Sequence, residues 1–281
     1  MRQYQKALEA HLADYKRRRL GVQRSGEFKG KKSVVHKPHI LLRELYLLNI
    51  LEPFRSEFRL FFEKNRSVVK LHKYFHHLNS SQALAFNLFL PFFLEGTAAT
   101  KQLLTALSVP GQVADWCFEY VPDEEEGTNV DVAWRAREEG WTFCEVKLSE
   151  RGFGSAEPDA RHKQKLKRIY LPRLQGLVED RLLEVDAFVA RYQLLRNLSL
   201  LTQPHTGKLV FVLPKENEGP RAELDEVLGS VAASIRQRVH VSYLEDVLAS
   251  LEADSKIGSR LREHARQLAE KYVVPIPKGT R

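Results

Sequence analysis

The chain has 281 residues, 43% of them hydrophobic, which suits one large or two modest globular domains with a buried core. Its two cysteines, Cys117 and Cys144, exclude a disulfide framework, lack metal-ligand spacing, and read as small core residues of a cytoplasmic protein. The formal charge is +8, and residues 1–40 hold the whole surplus, with eleven Lys or Arg against three acids. An arm of that sign is either a polyanion-binding element or a solubilising tail.

In chain order, residues 1–19 predict a short helix ending in Lys16-Arg17-Arg18-Arg19, and its opening Met-Arg-Gln-Tyr-Gln-Lys lacks the apolar core of a signal peptide. Residues 20–39, with three Gly, four Lys and Pro38, read as a loop. Ile40–Asn65 predicts two helices hinged at Pro53. Asn79-Ser80-Ser81 is an N-cap for a helix to about residue 95, followed by a second segment to Leu107. Its greasy stretch, Ala83–Leu94, is interrupted by Asn87 and Pro91 and is too short to span a bilayer.

Beyond it the period changes. Asp115–Val121, Asn129–Arg135 and Trp141–Leu148 read as strands, with an acidic loop at Pro122–Gly127. Residues 160–201 carry helical periodicity broken near Pro172, and Lys208–Leu213 is a strand. Residues 220–235 form a helix, Arg238–Tyr243 a last strand, and helices over about 243–251 and 257–272 end the chain. The order from residue 80 is α-β-β-β-α-β-α-β, an α/β fold with a mixed sheet. Residues 1–78 are the basic, helical N-terminal extension to a domain over 79–281.

Chemistry enters at Phe143-Cys144-Glu145-Val146-Lys147. An acid-x-Lys triplet occurs four times in this chain, but only Glu145-Val146-Lys147 lies in an apolar strand with an aspartate in the strand before it. Residues two apart share a strand face, so Glu145 and Lys147 project together while Cys144 and Val146 pack the other side. A hairpin that pairs 135 with 141 sets Asp131 opposite Glu145 and lets Gly140 supply a positive φ at the turn. Opposed Cβ atoms lie about 5 Å apart, so two carboxylates there need a cation between them. Lys147 alone would make a salt-bridged trio of little benefit to stability. Alternatively, Asp131 and Glu145 offer hard oxygens to Mg²⁺ or Mn²⁺, while Lys147 orients or deprotonates an attacking water.

Thr128-Asn129-Val130-Asp131 followed by Phe143-Cys144-Glu145-Val146-Lys147 resembles the PD-(D/E)xK, or restriction-endonuclease-like, nuclease superfamily, with Val130 in place of the proline. The strand order is similar to that family's α-β-β-β-α-β core over roughly residues 80–245. The resemblance implies metal binding by Asp131, Glu145 and the Val146 carbonyl, with Lys147 catalytic. It also implies an acid or glutamine on the helix before the sheet, where Gln82 is the candidate, ahead of Glu95 and Glu119. A Gln-x-x-x-Tyr motif of some members is absent: Gln193 stands in Tyr192-Gln193-Leu194-Leu195-Arg196.

Residues 160–173 contain six Lys or Arg and no acid, an expected phosphate-binding or solvated face. The nucleic-acid contacts expected are Arg17, Arg18, Arg19, Lys31, Lys32, Lys163, Lys167 and Arg168. His72, His76 and His77 do not fit a zinc-protease pattern, and no phosphate loop or hydrolase triad motif occurs. The expectation is a divalent-metal-dependent nuclease acting on DNA; the alternative is a non-catalytic nucleic-acid-binding or assembly protein that keeps the fold.

Overall fold

The computed structural model describes residues 2–30, 33–136 and 139–275. Helix α1 (Arg2–Leu20) is followed by strands β1 (Gly26–Lys29) and β2 (Val34–Lys37), and two 3-10 turns (Arg43–Asn49 and Glu52–Phe54) precede α2 (Arg55–Asn65). Then come α3 (Ser81–Leu94), α4 (Thr97–Ala106) and strands β3 (Val113–Tyr120), β4 (Val130–Ala136) and β5 (Gly140–Val146). Short helices α5 (Ala160–Lys165), α6 (Leu171–Leu174) and α7 (Val185–Ala190) lead to α8 (Tyr192–Leu200). The chain finishes with β6 (Thr206–Leu213), α9 (Glu218–Gly229), α10 (Ala233–Arg236), β7 (Val239–Tyr243), α11 (Leu244–Ala253) and α12 (Ser259–Tyr272). No helix among the described residues is long and apolar enough to cross a membrane.

These elements form two compact units, Met1–Pro110 with Tyr243–Arg281, and Gly111–Ser242. The boundary expected at residue 78 is therefore displaced, and α3 explains the displacement. Its side chains are apolar on every side, so it needs helical cover all round; it packs with α4 and α12, while α12 also packs on α1. Ser80 caps α3 by accepting from the Ala83 amide at 3.3 Å. Asn87, buried inside it, accepts from the Leu51 amide at 2.9 Å and donates to the Asn49 carbonyl at 3.0 Å. Lys271, fully buried, donates to the Asn49 carbonyl and side chain at 2.5 and 2.7 Å.

The expected loop over 20–39 is a second correction. Gly26–Lys29 and Val34–Lys37 form the two strands of an antiparallel hairpin, pairing Gly26 with Lys37 and Lys29 with Val34. Four-residue strands are too short for their alternation to be legible, and distant groups hold this pair. Lys16, counted above with the basic arm, is only 1% exposed and donates to the Arg24 and Ile40 carbonyls at 2.9 Å each. Phe28 lies against Tyr74 and His77.

In the other unit the sheet order is β3-β4-β5-β6-β7. Strands β3–β4 and β4–β5 are antiparallel, whereas β5–β6 is parallel, the mixed sheet expected from the element order. Ala136 pairs with Gly140, whose φ is +79°, and a Cβ there would meet the His205 carbonyl oxygen at 2.2 Å. The helical stretch expected over 160–201 is interrupted. Five residues, Leu166–Tyr170, open into a π turn just before Pro172, which lacks an N–H for the helical ladder. The helix expected over 220–235 is likewise split near Ser230, whose carbonyl is taken by the Glu179 amide at 2.9 Å.

The acidic loop before β4 is tied down through Glu126, which is 4% exposed. Its carboxylate accepts from Lys165 at 2.9 Å, Tyr170 at 2.8 Å, Tyr192 at 2.6 Å and the Thr128 amide at 3.0 Å. Burial alone would raise its pKa, but these hydrogen bonds outweigh burial and bring it down to about 2. A carboxylate depressed on folding stabilises the fold fully above its unfolded value near 4.5, and that stability fades as pH falls toward 2. Glu126→Gln should therefore cost roughly 2–3 kcal/mol at pH 7, after allowance for partial screening, and much less at pH 3. Urea unfolding of both proteins across that range measures it; a cost independent of pH would refute the assignment.

Candidate active site

Asp131, Glu145 and Lys147 are placed by strand register. The pairs Arg135 with Trp141 and Val132 with Cys144 continue into a position that sets Asp131 opposite Glu145. The Asp131 carboxylate reaches across and accepts from the Val146 amide at 2.7 Å. Strand β5 is central and covered on both faces, so Glu145 and Lys147 are only 4% and 6% exposed. Lys147 lies one residue beyond the strand, yet its amide still donates to the Val212 carbonyl of β6 at 2.8 Å. Its ammonium donates to Glu145 at 3.0 Å.

The rest of the cluster comes from α8. Gln193 bridges the pair, accepting from Lys147 at 2.8 Å through Oε1 and donating to Glu145 at 2.6 Å through Nε2. One turn later Asn197 donates to the other Glu145 oxygen at 3.2 Å, and the Arg196 guanidinium stands 3.5 Å from that oxygen. Asn197 in turn accepts from Arg196 at 3.0 and 2.8 Å. Gln193 is positioned by Gly154, which has φ +101° and takes the Gln193 amide on its carbonyl at 3.2 Å. A Cβ on Gly154 would lie 3.1 Å from Gln193 Oε1.

These contacts divide the electrostatics unequally. Burial pushes Asp131 well above the usual carboxylate range, and the charge of Glu145 pushes it further. Burial acts on Glu145 in the same sense, but Lys147 and Arg196 outweigh it and hold the carboxyl low. For Lys147, burial opposes the charge, and Glu145, Glu150 and Asp131 together restore it. Glu119 also raises Asp131; it sits beside Asp131 on β3 with an unusual φ of +54° and accepts from the Asn129 amide group.

Three carboxylates (Glu119, Glu145 and Glu150) and two cations (Lys147 and Arg196) thus lie around an aspartate whose ionised form is disfavoured, an excess of one negative charge before Asp131 itself ionises. Hard oxygen donors with that charge excess fit a divalent cation, for which Asp131, Glu145 and the Val146 carbonyl are the available ligands. Among the described residues no group of three His, Cys, Asp or Glu side chains could hold an ion unaided. That includes His72, His76 and His77.

Gln82 falls elsewhere. It belongs to the Met1–Pro110 unit, where its side chain donates to the Lys70 carbonyl at 2.9 Å and accepts from the His72 amide at 2.8 Å. Both ends of the amide serve the backbone, and the glutamine that reaches Glu145 is Gln193. Glu95 pairs with Arg260 at 3.4 Å. Arg196 and Asn197 escaped sequence reasoning altogether. The available signal was the i, i+4 spacing of Gln193 and Asn197, which puts two amides on one face of a helix.

Several of the basic residues expected to meet nucleic acid are already paired. Arg17 and Arg18 lie 3.6 and 2.5 Å from Asp14, and Arg19 lies 2.8 Å from Glu270. Arg168 pairs with Glu125 at 3.2 Å; its neighbours Lys165 and Arg173 pair with Glu126 and Asp123 at 2.9 and 2.5 Å. The acidic loop therefore neutralises half of the basic 160–173 segment. Lys163 and Lys167 remain exposed, and Lys31 and Lys32 lie outside the described residues.

Comparison with curated proteins and with solved structures gives no match to this chain. A family model described as "Restriction Endonuclease associating with ARP" matches residues 9–273, almost the full length and all of the site just described. The chain belongs to this restriction endonuclease family.

Proposed function

We propose that the protein is a divalent-metal-dependent nuclease that hydrolyses phosphodiester bonds in DNA. The observation that carries the reading is the buried convergence of Asp131, Glu145, Lys147 and Gln193 at the end of β5. The element order from β3 to β6 supports assigning the Gly111–Ser242 unit the strands of the restriction-endonuclease-like core. Asp131, Glu145 and the Val146 carbonyl would hold Mg²⁺ or Mn²⁺, which supplies Lewis acidity toward a phosphoryl oxygen. Lys147 orients the attacking water and screens negative charge as it develops on the phosphate. Gln193 keeps Lys147 and Glu145 in register. The family's description names association with ARP, so a protein partner belongs to this reading.

One observation favours the non-catalytic alternative. Both oxygens of Glu145 are already taken by protein groups, Lys147 and Gln193 on one and Asn197 and Arg196 on the other. A metal must share or displace them. Binding of nucleic acid with no cleavage in Mg²⁺ or Mn²⁺ would establish that alternative.

Cleavage kinetics on mixed DNA and RNA test the assignment. Lys147→Ala should lower turnover by ~10²–10⁴, the usual scale for one acid–base group, with Mn²⁺ binding retained in calorimetry. Glu145→Ala should weaken Mn²⁺ binding itself. Wild-type rates in both variants would remove these residues from the mechanism.

The metal is tested separately. Ca²⁺, larger and tolerant of loose coordination, should support nucleic-acid binding without efficient cleavage, whereas Mg²⁺ and Mn²⁺ should support both. Nuclease activity that persists undiminished in EDTA would show the metal assignment to be wrong.

A further inference from the structure

The Met1–Pro110 unit contains a cavity of about 260 Å³. Its lining comes from the turn after α1 (Arg24, Ser25), the hairpin (Glu27, Lys29, His36), the following 3-10 turn (Leu42, Arg43, Glu44) and the loop carrying Tyr74 and His76. The volume is below the ~300–1,000 Å³ of clefts that enclose whole ligands. It suits one charged group of a larger molecule.

Two of its charges are disposed unlike those at the end of α1 and in β2. Arg17, Arg18, Arg19 and Lys37 are held in ion pairs with Asp14, Glu270 and Glu9. By contrast, the side chains of Arg24 and Arg43 enter no hydrogen bond or ion pair among the described residues. Both are exposed at the rim, whereas His76 is 5% exposed. Lys29 and Glu27 make only a loose, solvent-exposed contact at 3.9 Å. The Tyr74 hydroxyl donates to the Lys29 carbonyl at 2.9 Å and steadies that edge. Two unpaired guanidiniums beside a partly enclosed space are suited to a planar or tetrahedral oxyanion, because their fixed N–H forks match it bidentately.

We propose that this cavity is a phosphate-binding site that takes a backbone phosphate of the nucleic acid, with Arg24 and Arg43 as its principal donors. The choice of nucleic acid as the phosphate source rests on the nuclease reading; the oxyanion pocket does not. Glu44, exposed in the same lining, opposes the bound charge. Its removal should therefore strengthen binding, a sign that a merely structural role would not produce.

The test is binding of full-length protein to a fluorescent DNA duplex across a salt series in EDTA, where cleavage chemistry plays no part. Arg24→Gln and Arg43→Gln should each flatten the dependence of log affinity on log salt by ~0.9, and the double variant by about 2. Glu44→Gln should raise affinity. Far-ultraviolet circular dichroism confirms that each variant folds. Unchanged slopes together with a neutral Glu44→Gln overturn the proposal. Calorimetry with inorganic phosphate separates the sources: phosphate binding lost in Arg43→Gln while the DNA slope stays unchanged overturns the nucleic-acid assignment and leaves a site for free phosphate. Because the binding is read without metal, an inactive enzyme with altered slopes would still support the pocket.

Discussion

Everything around β5 answers to the burial of an ionised glutamate in a strand covered on both faces. A carboxylate moved out of water without partners costs many kcal/mol, far beyond what a domain's net stability can absorb. Glu145 escapes that cost through three donors, Lys147, Gln193 and Asn197, and the Arg196 guanidinium 3.5 Å from one oxygen. The requirement propagates outward. Helix α8 must present Gln193 and Asn197 on one face, Gly154 must lack a side chain, and Tyr192 must lock the first turn of α8 to Glu126. Removing any one donor exposes charge rather than merely losing a contact.

Strand parity made half of this cluster legible. Alternation in 129–135 and 141–148 determines which side chains share a face, and Gly140 marks the turn, so the opposition of Asp131 and Glu145 follows from local pattern alone. Of the donors from α8 only Gln193 was raised, through the resemblance, and none was legible from local pattern, because they lie 46 to 52 residues away in sequence. Their polar residues look like an ordinary solvated face until the sheet is placed beneath them. Gln82 misled for the opposite reason. It occupies the position that the resemblance points to on the helix before the sheet, but the Lys70 and His72 backbone claims its amide. Lys16 shows the same blindness: within a basic run, nothing local tells a buried structural ammonium from a solvated one.

The two halves of the electrostatic problem are solved differently. At Glu126, hydrogen bonds overcome burial and leave a carboxylate that is comfortable without further partners. At Asp131, one amide bond does not overcome burial and the neighbouring Glu145 charge, so the group is left needing positive charge. Both are carboxylates in the same unit, and one is satisfied while the other is not. On the reading proposed above, unequal treatment of that kind separates a group that holds the fold together from one kept ready for a ligand.

The same distinction governs the basic residues. Net charge counts every lysine and arginine equally, and by that count the first forty residues are the most polyanion-seeking part of the chain. Paired charges release little on meeting phosphate, since an existing ion pair must first be broken. Once Arg17, Arg18, Arg19 and Lys37 in the arm, and Lys165, Arg168 and Arg173 in the 160–173 segment, are set aside as paired, the capacity of both segments for phosphate shrinks. Among the described cations left without an acid are Arg24 and Arg43, which line one cavity, and the exposed Lys163 and Lys167. Phosphate affinity follows the distribution of unpaired cations, and only the fold determines that distribution.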